Sequence, residues 1–312
     1  MPPLEIPLFD FVLPAALALA VLAFAWRRKP SETAEPAPRA APASKPVVPA
    51  SSRATGGGSS RARAAGAFAL GAGVLVAWWS IFREFALPSE TRVLAAKDWI
   101  PFCVVGAMVA ASLALSERVR RFLPSGGTPF VLAILVVLSM HAAIRQGSTG
   151  SLHALAAFLA AMATWASLEL SSERLRGPLP CLCLALACAG SAVAIALGGS
   201  LVFGRLCGTA AALCVACAVI AWRRRAFTLS GGPVAVLCVV LVGSWINAVR
   251  EMPVSSVLLA WAAIVVPSVA GIGPFSTWPA VRRETARVVL VLLLAGAAIW
   301  IAFAARPPSY GY

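Results

Sequence analysis

The chain has 312 residues, of which 60% are hydrophobic and 12% charged, with a mean hydropathy of +0.86. A soluble domain carries roughly 45–50% apolar and about 25% charged residues, so a water-soluble globule is excluded, and disorder over most of the length is excluded with it. Twenty-six Lys and Arg against twelve Asp and Glu give a net charge of +14, which reads either as a nucleic-acid footprint or as the basic bias of membrane loops.

Apolar runs approaching the roughly 20 residues that cross a bilayer recur about ten times. They fall near 8–26, 66–82, 99–115, 128–144, 151–170, 181–201, 206–222, 233–249, 254–273 and 288–305. Membrane strands would alternate in short segments; these runs are continuous and predict helices. The expected fold class is all-α, a polytopic transmembrane helix bundle of about ten spans. The stretch 181–222 must reverse near Gly198-Gly199-Ser200 or near Gly204-Arg205.

The first run has Glu5 and Asp10 before it and Arg27-Arg28-Lys29 after it. A signal peptide has its positive region in front, so residues 1–26 predict an uncleaved N-terminal helix. Residues 27–65 are rich in Pro, Ala, Ser and Gly without a sustained apolar period. Such a segment cannot offset its ordering entropy and predicts a flexible linker. Its eight basic and two acidic residues suit a cytoplasmic loop, with a tether to anionic lipid headgroups as the second reading. The remaining residues, 66–312, form the expected nine-helix bundle.

Orientation follows from the basic residues. With 27–65 inside, the inner loops hold 19 Lys and Arg and the outer side 7, and both termini lie outside. Spread over five inner loops without an aromatic platform, these charges exclude nucleic acid as a partner. The bilayer is the expected partner, and no protein partner is indicated. Two loops carry signals of their own. Ser89 and Glu90 predict the start of a short interfacial helix over 91–99. Pro279 is expected near N1 of the last helix, whose first turns (281–287) would stand in the cytoplasm.

No phosphate-binding loop, dinucleotide fingerprint, zinc-protease motif or nucleophile elbow is present, so no catalytic residue, metal or cofactor is assigned and an enzyme is the less favoured class. Ionisable groups inside a membrane mark function by default, and here they gather at span ends. His141 and His153 face each other across a short connection on the outer side, joined by Arg145, Gln146, Arg205, Asn247, Arg250 and Glu251. His141, Arg145, His153, Arg205, Asn247 and Arg250 form the candidate ligand-binding rim, since Arg pairs bidentately with carboxylate or phosphate. The bland alternative is turn residues meeting water, with Arg snorkelling.

Cys181 and Cys188 share a face of the sixth expected span, and Cys207, Cys214 and Cys217 a face of the seventh; buried thiols behaving as small hydrophobes explain them. Gly204 and Gly208 permit close helix approach. Trp26, Trp78, Trp79, Trp99, Trp222 and Trp278 read as interfacial anchors, whereas Trp165, Trp245, Trp261 and Trp300 lie deeper and are expected between helices.

The stretch 178–267, with Ala189-Gly190-Ser191-Ala192-Val193-Ala194 and the Gly-rich segment 198–208, resembles uncharacterised Ala/Leu-rich multi-pass membrane proteins of high-GC bacteria. The resemblance implies a bacterial inner-membrane location and contributes no catalytic residues. Three functional classes stand: a transporter-like or solute/lipid-handling bundle, a non-catalytic scaffold or complex subunit, and a membrane-embedded transferase acting on a lipid-linked substrate.

Overall fold

The computed structural model describes residues 12–25, 57–82, 99–113, 134, 150–174, 177–223, 227, 229, 232–249, 251–269 and 278–305. Among them are nine α-helices: α1 (Leu13–Ala25), α2 (Gly57–Phe82), α3 (Trp99–Leu113), α4 (Gly150–Arg174), α5 (Leu179–Leu197), α6 (Leu201–Arg223), α7 (Gly232–Ala248), α8 (Val254–Val269) and α9 (Ala280–Ala304). Nine of the expected runs fall on these helices. The expected fourth span, 128–144, lies outside the described residues except for Ile134, which is helical. The expected interfacial helix lies outside them save Trp99, which opens α3, and α2 begins within the segment read as linker.

Four helices are long and apolar enough to cross a membrane: α4 over Ala154–Ser171, α5, α6, and α9 over Val281–Ala304. At 1.5 Å per residue, the 19 residues of α5 and 23 of α6 match the roughly 30 Å of a bilayer's hydrocarbon. The apolar stretches of α1, α2, α3, α7 and α8 are shorter. Helix α9 starts at Ala280, as the expected entry at Pro279 with first turns over 281–287 requires, so the helix runs ahead of the apolar run 288–305. Pro279 is its N-cap, at φ −53° and ψ 143°, one position before N1: its fixed φ suits the extended residue that precedes a helix.

The reversal between α5 and α6 is made by Gly198-Gly199-Ser200. Gly199 has φ +112°, a conformation open to glycine without a Cβ penalty. The Ser200 N–H donates to the Ile195 carbonyl at 3.2 Å and the Gly199 N–H to Ala196 at 3.3 Å. This pair of bonds is a Schellman motif and satisfies the carbonyls at the end of α5. The alternative turn at Gly204 is helical instead. A Cβ there would stand 2.9 Å from the Ala192 carbonyl oxygen, so Gly204 serves the close contact between α5 and α6.

Helix α7 is the axis of the fold. Every residue from Pro233 to Trp245 is buried, packed by α2, α3 and α6 on one side and by α4 on another. A helix apolar all round belongs in an interior, and the sequence of α7 has no polar face. Helix α1 packs on α2 and α6, placing Ala18 and Leu22 in the same core. Helix α9 lies on α5 and α8. Two tryptophan expectations are corrected. Trp300 is 69% exposed, because position 300 lies off the Val291–Ala295–Ala298–Ala302 stripe that α9 buries. Trp78, expected at an interface, is 2% exposed and packs in the core.

Candidate functional site

The interior polar groups are mostly hydroxyls that bond within their own helix. Ser191 donates to the Ala187 carbonyl at 2.9 Å and Ser167 to Ala163 at 2.7 Å. Such back-bonding to position i−4 satisfies a hydroxyl without a partner helix. Other bonds cross between helices, among them the Trp261 indole to Thr164 at 3.0 Å, the Ser256 hydroxyl to the Ala298 carbonyl at 2.7 Å and the Cys238 thiol to the Ala161 carbonyl at 3.4 Å.

Arg287 departs from this pattern. It is the one charged residue among the buried polar residues described, at 3% exposure. It sits about two turns into α9 on the stripe that continues through Val291, Ala295, Ala298 and Ala302, all buried. The spacing of three and four puts these residues on one helix face, so the packing of α9 on α5 and α8 carries Arg287 inward. Its Nη1 donates to Glu284 Oε1 at 2.6 Å, one turn earlier. Arg283 Nε lies 3.8 Å from the same oxygen, an ion-pair distance beyond hydrogen-bonding range. Arg287 Nε has no hydrogen-bond partner among the described residues.

Arg287 and Glu284 line a small open cleft of about 50 Å³. Its other walls are apolar: Leu168 of α4, Cys183 and Leu184 of α5, Val234 of α7, and Ala263 and Ile264 of α8. Ser171, Pro180 and Leu229 complete the lining. The contributions come from the end of α4 and α8 and the beginning of α5, α7 and α9. Five helices thus open one end of the bundle around a single ion pair. The three charges of Arg283, Glu284 and Arg287 sum to +1. A buried cation is costly unless paired and hydrogen-bonded, and Glu284 uses only one of the five N–H donors of a guanidinium.

Two residues of the expected rim, Arg205 and Asn247, lie at the opposite end. Arg205 is in the first turns of α6, and Asn247 is at the end of α7. Gly198 lies against Met252, which sets the α5–α6 turn beside the α7–α8 turn and puts Arg205 and Asn247 at one end of the bundle. Asn247 Nδ2 donates to the Gly243 carbonyl of its own helix at 2.7 Å. His153 lies on α4, in a part whose side chains are not described, and His141, Arg145 and Arg250 lie outside the described residues.

Sequence reasoning assigned Arg287 to the first turns of the last helix, standing in the cytoplasm, and did not foresee its burial between helices. Val281 and Arg282 are exposed, whereas Arg287 is buried between helices. The signal that could have found it is its register, four residues before Val291 on the Ala-rich stripe of α9. The cysteine geometry agrees with the helical spacing: all eight cysteines are buried thiols outside any disulfide, and those of Cys188 and Cys214 are within hydrogen-bonding reach across α5 and α6. Among the described residues no group of three or more His, Cys, Asp or Glu could hold a metal ion.

Comparison with protein-family models, curated proteins and solved structures finds no match to this chain. The architecture alone therefore classifies it: an all-α protein with four candidate membrane-spanning helices, of the multi-pass membrane kind.

Proposed function

We propose that this protein is a lipid- or solute-handling helix bundle of a bacterial inner membrane that binds amphiphilic molecules in the cleft between α4, α5, α7, α8 and α9. The observation that carries the reading is Arg287, a buried guanidinium whose Nε has no partner among the described residues, on the wall of a mostly apolar cleft. Binding pockets for small molecules are apolar with a few placed polar groups that orient the ligand, and this cleft has that composition. The positive-inside count supports an orientation with the cleft at the cytoplasmic face and both termini outside. The same orientation leaves the basic linker free to meet anionic headgroups.

Cys183 provides the test, since it lines the cleft. The protein is purified in a non-ionic detergent and treated with N-ethylmaleimide, with and without single-chain amphiphiles. Peptide mapping follows the rate at Cys183. Slower alkylation at Cys183 with added amphiphile is the expected result; an unchanged rate over the full range of amphiphile concentration sinks the proposal.

A scaffold or complex-subunit role is the second reading. It is favoured by α7, whose continuous apolar burial from Pro233 to Leu241 makes the centre of the bundle a packed core. A stoichiometric protein partner retained through gentle detergent purification is the result that reading requires.

A further inference from the structure

We infer that the cleft selects amphiphiles with an anionic oxyanion head, a phosphate or a carboxylate, received by Arg287, and that Glu284 holds the guanidinium in place for it. The inference rests on the amphiphile-binding reading above and adds the chemistry of the head group.

Three observations carry it. First, Nη1 of Arg287 is engaged by Glu284 at 2.6 Å, while Nε, which belongs to the opposite edge of the guanidinium fork, has no acceptor among the described residues. That edge presents two parallel N–H groups, the geometry that carboxylates and phosphates accept bidentately. Second, the charged residues that line the cleft, Glu284 and Arg287, cancel, and Arg283, whose Nε lies 3.8 Å from the Glu284 carboxylate, adds a positive charge beside them that a single negative head neutralises. An uncharged head without an acceptor oxygen in reach would leave the buried Arg287 Nε unsatisfied, which is the costly arrangement. Third, the walls facing the pair are hydrocarbon and thiol, from Leu168, Cys183, Leu184 and Ile264 among others. They suit an acyl or prenyl chain and, beside the Ser171 hydroxyl, give a free hydrated ion no further polar partner among the described lining residues. The chemistry therefore points to a lipid anion and away from a soluble one.

Glu284 is a positioning residue. Its side chain is 26% exposed against 4% for that of Arg287, so it stands nearer the mouth and fixes the guanidinium by the i,i+3 contact that one turn of helix provides. It also competes electrostatically with an incoming anion. Removing its charge while keeping an acceptor oxygen should strengthen anion binding.

The test compares oleyl phosphate, oleate, oleyl alcohol and inorganic phosphate as protectants of Cys183 from N-ethylmaleimide in the purified full-length protein. Oleyl phosphate and oleate should protect at concentrations roughly ten- to a hundredfold below oleyl alcohol, the worth of one charge-assisted hydrogen-bonded pair. Inorganic phosphate should not protect. Arg287→Met should bring the anionic amphiphiles to the level of oleyl alcohol. Arg287→Lys keeps the charge without the fork and should give an intermediate loss, which keeps the test decisive if the Met variant fails to fold. Glu284→Gln should lower the protecting concentration of both anions. Equal protection by all three oleyl compounds overturns the head-group inference while the amphiphile site stands. Absence of protection by any of them removes the underlying reading as well. Protection by inorganic phosphate alone overturns the lipid source.

Discussion

Trp261 of α8 donates its indole N–H to the Thr164 hydroxyl of α4 at 3.0 Å, and that hydroxyl donates in turn to the Ala160 carbonyl at 2.7 Å. One small side chain thus satisfies an indole on a neighbouring helix and remains satisfied itself. In a hydrocarbon environment an unmet N–H is expensive, so this bond fixes the rotation of α8 against α4. Thr164→Val keeps the shape and removes the acceptor. The expected coupling with Trp261→Phe in a double-mutant cycle is about 0.6 kcal/mol and at most about 1.7, as for interhelical bonds in membranes. Reversible unfolding in mixed micelles measures it; a coupling of zero would mean that the bond does not hold these helices in register.

The α5–α6 hairpin makes two separable predictions. Gly204→Val places a Cβ 2.9 Å from the Ala192 oxygen and 3.1 Å from the Ala196 Cβ, and overpacking of this kind costs typically about 1–3 kcal/mol. Gly199→Val meets no neighbour within 4 Å yet must hold φ +112°, a strained backbone costing about 1–3 kcal/mol. Both should lower the Tm. Only the first should be eased by Ala196→Gly, which makes room beside the new side chain.

Thiol reactivity should follow position in the bundle. Cys188, Cys207, Cys214, Cys217 and Cys238 are fully buried, whereas Cys183 keeps 7% exposure and lines the cleft. A membrane-permeant maleimide should therefore modify Cys183 before these five, as read by peptide mass spectrometry over time. Faster modification of Cys188 or Cys214 would contradict the packing of α5 on α6.

The ion pair should be worth more intact than halved. Glu284→Ala leaves Arg287 buried without its one carboxylate, and breaking a buried pair costs about 3–5 kcal/mol. Because Glu284 is partly exposed, the low end is expected. Adding Arg287→Met removes the stranded cation and should recover most of the loss, since apolar replacement of such pairs is often neutral. If the double variant is as unstable as Glu284→Ala alone, Arg287 contributes by packing its stem and the electrostatic account is wrong.

The rim and the orientation have their own test. A reporter fused at Tyr312 should read as external, and a cytoplasmic signal would reverse the assignment of both ends. Alanine at Arg205 and Asn247, which lie at the other end of the bundle from the cleft, should leave the folded protein and its protection at Cys183 intact. Lost protection in a variant of unchanged Tm would place the rim in the same function.

The helices were legible because an apolar period of this length has one economical solution: every backbone group must be satisfied inside the segment. Glycine pairs marked the turn, and the Schellman motif at Gly199 selected between two sites that composition left equal. Gly204 was ambiguous because close helix contact and chain reversal both call for a missing side chain. Trp300 was misplaced for a related reason. Depth along a span can be counted from the sequence, but the direction a residue faces depends on which neighbours the helix meets.

The sequence by itself determined that this chain is built of apolar helices, since 60% hydrophobic and 12% charged residues admit few other architectures. It also set the direction of the charge bias, because basic residues are counted along the chain and need no neighbours. The tertiary structure alone decided where a charge matters. Arg282, Arg283 and Arg287 are alike in composition, yet only Arg287 has the register that turns it between α4, α5, α7 and α8. Burial is a property of packed faces, and it converts one of several loop-side arginines into the polar anchor of a cleft.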